Sequence, residues 1–191
     1  MKRIVRRIQR IQRVQYSVVF PVVLWAATAS FAMAQQPLAG TDVLAAAIQA
    51  TLQQERADGR PVVDTPIRTV DAGGHHVGVG LVRRTGPAQG GSAAHDKVTE
   101  VYYIIEGAGT LVTGGSLVGA ERRQSANATV TGINGPGVSG TTIANGVSRR
   151  IAKGDVVIIP AGTPHWWSSV DTPEIYYIVV RVDPERVVAL K

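Results

Sequence analysis

The chain has 191 residues, no cysteine and a formal charge of +6. The length suits one domain with a core of its own, and the lack of cysteine excludes disulfides, thiolate metal sites and a cysteine nucleophile. The charge sits in Lys2, Arg3, Arg6, Arg7, Arg10 and Arg13; residues 1–34 hold no acidic group and the remainder is neutral, so no electrostatic case for nucleic acid or anionic lipid survives.

Those basic residues precede an apolar run over 17–29 and then Ala32-Met33-Ala34 before Gln35. Basic head, greasy middle and small-x-small ending predict a secretory signal peptide over residues 1–34, cut after Ala34. The product is then periplasmic or secreted, with no stable membrane association. A retained anchor is the rival, because 17–34 is nearly long enough to span a bilayer, but Pro21 and the cleavage pattern favour removal. Residues 35–60 read as an N-terminal helical segment. Thr41 or Asp42 can cap it, Leu44, Ile48 and Leu52 recur at four-residue spacing, and Gly59 can end it.

From residue 61 to 191 the pattern becomes short strands broken by turn residues, predicted at 67–71, 76–84, 100–106, 109–112, 149–152, 156–159, 165–170 and 174–182. Such runs indicate an all-β sandwich or barrel. Residues 113–148 are rich in Gly, Ser, Thr and Asn and predict a long exposed loop, with one hairpin around 128–142, that is either a lid or a surface insertion.

Two stretches carry chemistry. In AAHDKVTEVYYIIEG, Glu100 opens a strand and His95 lies five residues earlier, across a short turn. In GDVVIIPAGTPHWWSS, a β-branched strand meets a corner built from Pro160, Gly162 and Pro164, and His165 follows at the start of the next strand. Two imidazoles and a carboxylate are a donor set for Fe(II), Mn(II), Zn(II), Ni(II) or Cu(II) that leaves coordination positions open. Period-two alternation puts Tyr102 and Ile104 on the face of Glu100, and Trp167 on that of His165. One of Tyr176 and Tyr177 must also face inward, and alternation does not say which. Asp96 and Lys97, and the pairs Arg83-Arg84, Arg122-Arg123 and Arg149-Arg150, read as solvated surface.

Both stretches resemble the cupin family. Its first motif ends in His, four residues, Glu, six residues, Gly, matched by His95, Glu100 and Gly107. Its second is Gly, five residues, Pro-x-Gly, two residues, His, matched by Gly154, Pro160, Gly162 and His165. The resemblance covers about residues 86–170 and implies a jelly-roll β-barrel with a divalent metal in its mouth. It also implies a small-molecule ligand or substrate, and a homodimer. Two departures stand out: Ala93 replaces a histidine that usually supplies another ligand, and Ser169 replaces a common Asn. His75 or His76, on the preceding strand, is the candidate replacement ligand. The expected function is metal-dependent oxygenase-, isomerase- or lyase-type chemistry on a small organic molecule. Tyr102 would be the proton donor, and Trp167, Tyr176 and Tyr177 would line the substrate. The alternative is a non-catalytic ligand-binding or sensing cupin.

Overall fold

The computed structural model describes residues 38–86 and 90–191, so the leader and its cleavage site lie outside the described residues. Helix α1 (Ala45–Ala57) is followed by thirteen strands: β1 (Val62–Asp71), β2 (His76–Thr85), β3 (Ser92–His95), β4 (Thr99–Glu106), β5 (Ala108–Thr113), β6 (Ser116–Val118), β7 (Glu121–Arg122), β8 (Gly137–Gly140), β9 (Thr142–Ala144), β10 (Val147–Ala152), β11 (Val156–Ile159), β12 (His165–Val170) and β13 (Glu174–Asp183). One sheet has the order β1-β2-β13-β4-β11, a second β10-β5-β12-β3-β8-β7, and β6 pairs with β9 alone. Every pairing is antiparallel. This is the all-β jelly-roll barrel that the strand pattern and the motifs led us to expect.

Alternation builds the core. Tyr102 and Ile104 of β4, Val157 and Ile159 of β11, and Tyr177 and Val179 of β13 meet Leu111 of β5, Ile151 of β10 and Trp167 of β12 between the two sheets. Helix α1 covers the outer face of the first sheet, where Leu52 packs on Leu81 and Tyr176. No side chain caps the helix: its N-cap is Leu44 rather than Thr41 or Asp42, and it ends at an extended Asp58 before Gly59 is reached. Burial of Leu52 and the Arg56–Glu106 ion pair of 2.7 Å hold it instead.

The strand boundaries differ from expectation where pairing overrides composition. Strand β1 begins at Val62 and runs through Pro66, because it is an edge strand whose register shifts between Pro66 and Arg68, where a missing N–H is tolerated. Strand β3 has no β-branched residue and was not expected; it exists because β8 and β12 flank it. The largest correction concerns residues 113–148. They are not a single exposed loop with one hairpin: they form β6 to β9, a π-helical turn over Val130–Asn134, and a strand, β8, within the second sheet.

Candidate metal centre

The two motif histidines arrive from neighbouring strands. Residue His165 of β12 sits opposite Ala93 of β3, and His95 lies two residues further along β3 on the same face. The Pro160–Pro164 corner is tied down twice: Gly162 N–H donates to the His95 carbonyl at 2.6 Å, and Ala161 N–H to Thr99 Oγ1 at 3.2 Å. Gly162 has a φ of +79°, a conformation that residues with a Cβ rarely adopt. The motif glycine thus turns the chain so that one histidine's strand is bonded to the other's backbone.

Glu100 completes the group. Its Oε2 lies 3.6 Å from His95 Nε2 and 3.5 Å from His165 Nε2, and one donor atom from each residue falls within 4.8 Å of the others. All three are buried: 4% exposed for His95, 1% for Glu100 and 6% for His165. Burial pushes the His95 imidazole down to about 3 and also lowers His165, so both rings are neutral at physiological pH. For Glu100 burial opposes the charge, but His95, Arg181, His165 and the Tyr102 hydroxyl outweigh it and hold the carboxyl at about 2. Two neutral imidazoles and one carboxylate are the protonation states a divalent ion requires.

The surrounding hydrogen bonds favour a metal at one histidine and oppose it at the other. His165 Nδ1 lies 3.0 Å from the Thr163 carbonyl, which can only accept, so the proton sits on Nδ1 and Nε2 presents its lone pair to the group. His95 Nδ1 lies 3.0 Å from Arg123 Nη2, which can only donate. A neutral His95 in that contact carries its proton on Nε2, so ligation through Nε2 requires the Arg123 contact to break. The donor set therefore fits a divalent ion, with Arg123 working against it.

Arg181 is the other residue that spacing did not reveal. Its Nε donates to Glu100 Oε1 at 3.0 Å and its Nη2 to Asp64 Oδ2 at 2.6 Å. Arg181 pairs in register with Glu100 across β13 and β4, and a Cβ on Gly80 would come within 3.3 Å of its guanidinium and 3.0 Å of the Thr65 carbonyl. The glycine in β2 makes room for a buried cation. A parity signal was available: in β13, Arg181 is in phase with Tyr177 and out of phase with Tyr176.

These groups lie at the wall of a cavity of about 480 Å³, lined also by Val62, Arg84, Tyr102, Ser139 and Tyr177 among others. The expected site residues divide accordingly. Tyr102 faces the cavity, but its hydroxyl is given to Glu100 Oε2 at 2.8 Å, and burial raises it well above its ordinary value. Tyr177 is the inward tyrosine, its ring 4.5 Å from that of Tyr102. Tyr176 is not a lining residue: it packs under α1, donates to Glu174 Oε2 at 2.7 Å and has Arg56 over its ring. Trp167 is inside the barrel but belongs to the core, stacked on Tyr177 at 5.6 Å, and does not line the cavity. Neither His75 nor His76 joins the metal group; His76 Nδ1 instead lies 2.8 Å from the Val188 carbonyl. Reading the arginine pairs as surface was also wrong for Arg83, Arg84 and Arg123. Arg83 is buried against Glu174, and the other two line the cavity, Arg123 entering from the segment expected to be a loop.

The sequence profile described as Cupin matches residues 72–190. No curated protein matches in sequence. Among solved structures, a Bacillus halodurans protein is similar at a TM-score of 0.44 and 14% identity, over 76% of this chain and 83% of its own. DMSP lyase DddQ from Ruegeria pomeroyi DSS-3 is similar at 0.41 and 15%, over 63% and 46%. A recombinant oxalate oxidase in complex with glycolate is similar at 0.39 and 19%, over 68% and 55%.

Proposed function

The chain belongs to the cupin family, and from that premise we propose that it is an exported metalloenzyme acting on a small organic molecule. The reaction class is oxygenase-, isomerase- or lyase-type, with His95, Glu100 and His165 holding one divalent ion of Fe, Mn, Zn, Ni or Cu. One observation carries the reading: both Nε2 atoms approach the same oxygen of an ionised, buried carboxylate, at 3.6 and 3.5 Å, beside a cavity large enough for a ligand. A bound divalent ion would supply Lewis acidity toward a substrate oxygen.

The chain's own residues do the rest. Arg181 and Tyr102 fix both oxygens of Glu100, so the carboxylate cannot rotate freely. Tyr102 is thereby first an orienting group; donating a proton to substrate would require its bond to Glu100 to break. The tyrosine pair Tyr102 and Tyr177 forms an aromatic wall on the inner side of the site.

A second reading, a binding or sensing cupin without turnover, is favoured by the Arg123 contact on His95 and by Ala93 at the usual place of a fourth ligand. Elemental analysis of protein recovered from its own compartment separates the two. Near-stoichiometric metal that falls on replacement of His95, Glu100 or His165 by Ala supports the enzyme; metal-free protein that stays inert after loading refutes it. Export and pairing belong to the same proposal. Mass spectrometry should find an N-terminus at Gln35. Sedimentation should find two copies, with Tyr103, Val156 and Ile158, exposed beside the edge strand β11, as the apolar surface that pairing would cover.

A further inference from the structure

We infer that the cavity takes an organic carboxylate and that Arg84 receives its charge. The inference deepens the reading above, since it names the substrate class of the same site. It starts from a count of charges. Five ionisable residues other than histidine and tyrosine line the cavity: Asp64, Arg84, Glu100, Arg123 and Arg181. Arg181 bridges Glu100 and Asp64, so one guanidinium already faces both carboxylates. The other two guanidiniums have no carboxylate within ion-pair distance among the described residues. The residues outside that set, 1–37 and 87–89, contain no Asp or Glu, so no acidic partner is hidden there. The cavity is thus left with an excess of positive charge, which a divalent ion would increase.

Arg84 and Arg123 are not equivalent. Arg123 commits its Nη2 to the Ala94 carbonyl at 2.8 Å and to His95 Nδ1, neutral acceptors that anchor it to the wall. Arg84 donates only through Nε, to the Tyr177 hydroxyl at 3.0 Å. Both terminal nitrogens of Arg84 are left without a protein acceptor among the described residues. A partly buried guanidinium fixed by one bond, its terminal edge without a protein acceptor among the described residues, matches the two oxygens of a carboxylate in a planar fork. An anionic ligand at that edge gains a charge-assisted pair that no carboxylate among the described residues supplies.

Position supports the assignment. The Tyr177 that holds Arg84 stacks on Tyr102, whose hydroxyl holds Glu100. The anion anchor and the metal-ligating carboxylate are therefore two ends of one continuous wall. An acid gripped at Arg84 lies along this wall with its other end toward the metal group.

The test is calorimetric titration of the mature chain with lactate, malate and 4-hydroxybenzoate, each against its neutral amide, in metal-free and in zinc-loaded protein. In metal-free protein the acids should bind about 10- to 100-fold more tightly than the amides, the range expected of a charge-assisted pair. Arg84→Gln should abolish the preference and Arg84→Lys should keep part of it, with circular dichroism and thermal melting confirming that both variants fold. Arg149→Gln, on the exposed face of β10, should leave it intact. Equal binding of acids and amides, a preference that survives Arg84→Gln, or no acid binding at about 10 mM would overturn the inference. Zinc binding without acid preference sinks this inference alone. Acid preference without zinc binding sinks the metalloenzyme alone.

Discussion

Replacing Arg123 by Gln should tighten metal binding, the opposite of what removing a residue beside a metal site usually does. Ligation by His95 Nε2 needs the ring proton on Nδ1, and Arg123 Nη2 occupies that position at 3.0 Å with a proton of its own. A metal must therefore displace a hydrogen bond from a charged donor, worth about 1–3 kcal/mol, and bind near a cation. The Gln side chain is neutral and can turn its carbonyl oxygen toward a protonated Nδ1, as the Thr163 carbonyl already serves His165. The expected gain is roughly 5- to 150-fold in the dissociation constant for zinc or manganese. Competitive titration against a chromophoric chelator gives that constant. Nitrogen-15 spectra of the imidazoles give the second readout: in metal-free wild type, His95 should carry its proton on Nε2 and His165 on Nδ1, whereas in the variant both should favour Nδ1. Arg123 also holds the Ala94 carbonyl, so some loss of thermal stability is expected alongside the tighter binding. Weaker or unchanged metal affinity in a folded variant would refute the reasoning, because Arg123 would then support His95 rather than oppose its ligation.

Three further outcomes follow from the buried charges. Arg181→Met leaves Glu100 and Asp64 in the wall without their shared cation, and urea unfolding at pH 7 should show a loss of about 3–5 kcal/mol; a loss below about 1 kcal/mol would contradict the pairing. The metal-free protein should lose stability as pH falls below 6.5. The unfolded histidines take up protons there, while His95, held at about 3 in the fold, and His165, also lowered, do not. The slope is about 1.4 kcal/mol per pH unit for each histidine. Below pH 4.5 the lowered Glu100 adds to the same trend, and a stability flat from pH 7 to 5 in Glu55→Gln, which lacks the opposing raised carboxyl of that residue, would refute it. Glu55, buried and with neither carboxylate oxygen bonded among the described residues, is raised by burial to about 7, so the native state holds more protons than the unfolded chain between pH 4.5 and 7. Above pH 7, Glu55→Gln should therefore raise the unfolding free energy measured in urea by about 1–3 kcal/mol, and change it little at pH 4.5.

What could be read from the sequence divides by the range of the signal. His95, Glu100 and His165 were legible because each motif brings its own local device, a short turn before β4 and a proline-glycine corner before β12, and both devices leave a mark in consecutive residues. The inward phase of β4 was legible for the same reason, since Glu100, Tyr102 and Ile104 follow one parity. Tyr176 and Tyr177 were ambiguous only while Arg181 was ignored, for two apolar neighbours cannot fix a phase whereas a buried arginine four residues on can. Arg84 and Arg123 were lost to a compositional habit. A doublet of arginines looks solvated, but on a strand such as β2 the two members point to opposite faces, and one of them must be inward whenever the sheet is covered on both sides. Helix α1 covers the outer face of β2, so Arg83 goes beneath the helix to Glu174 and Arg84 goes into the barrel. The segment over 113–148 failed for the complementary reason. Its strands are too short and too polar to announce themselves, and β8 is fixed by pairing with β3, a strand equally silent. Arg123 thus comes from where local pattern is weakest, whereas Arg84 and Arg181 come from well-marked strands whose phase had to be read. A scaffold shared by many chemistries is recognised by its motifs, and its chemistry is set by the charges that long-range pairing brings to them.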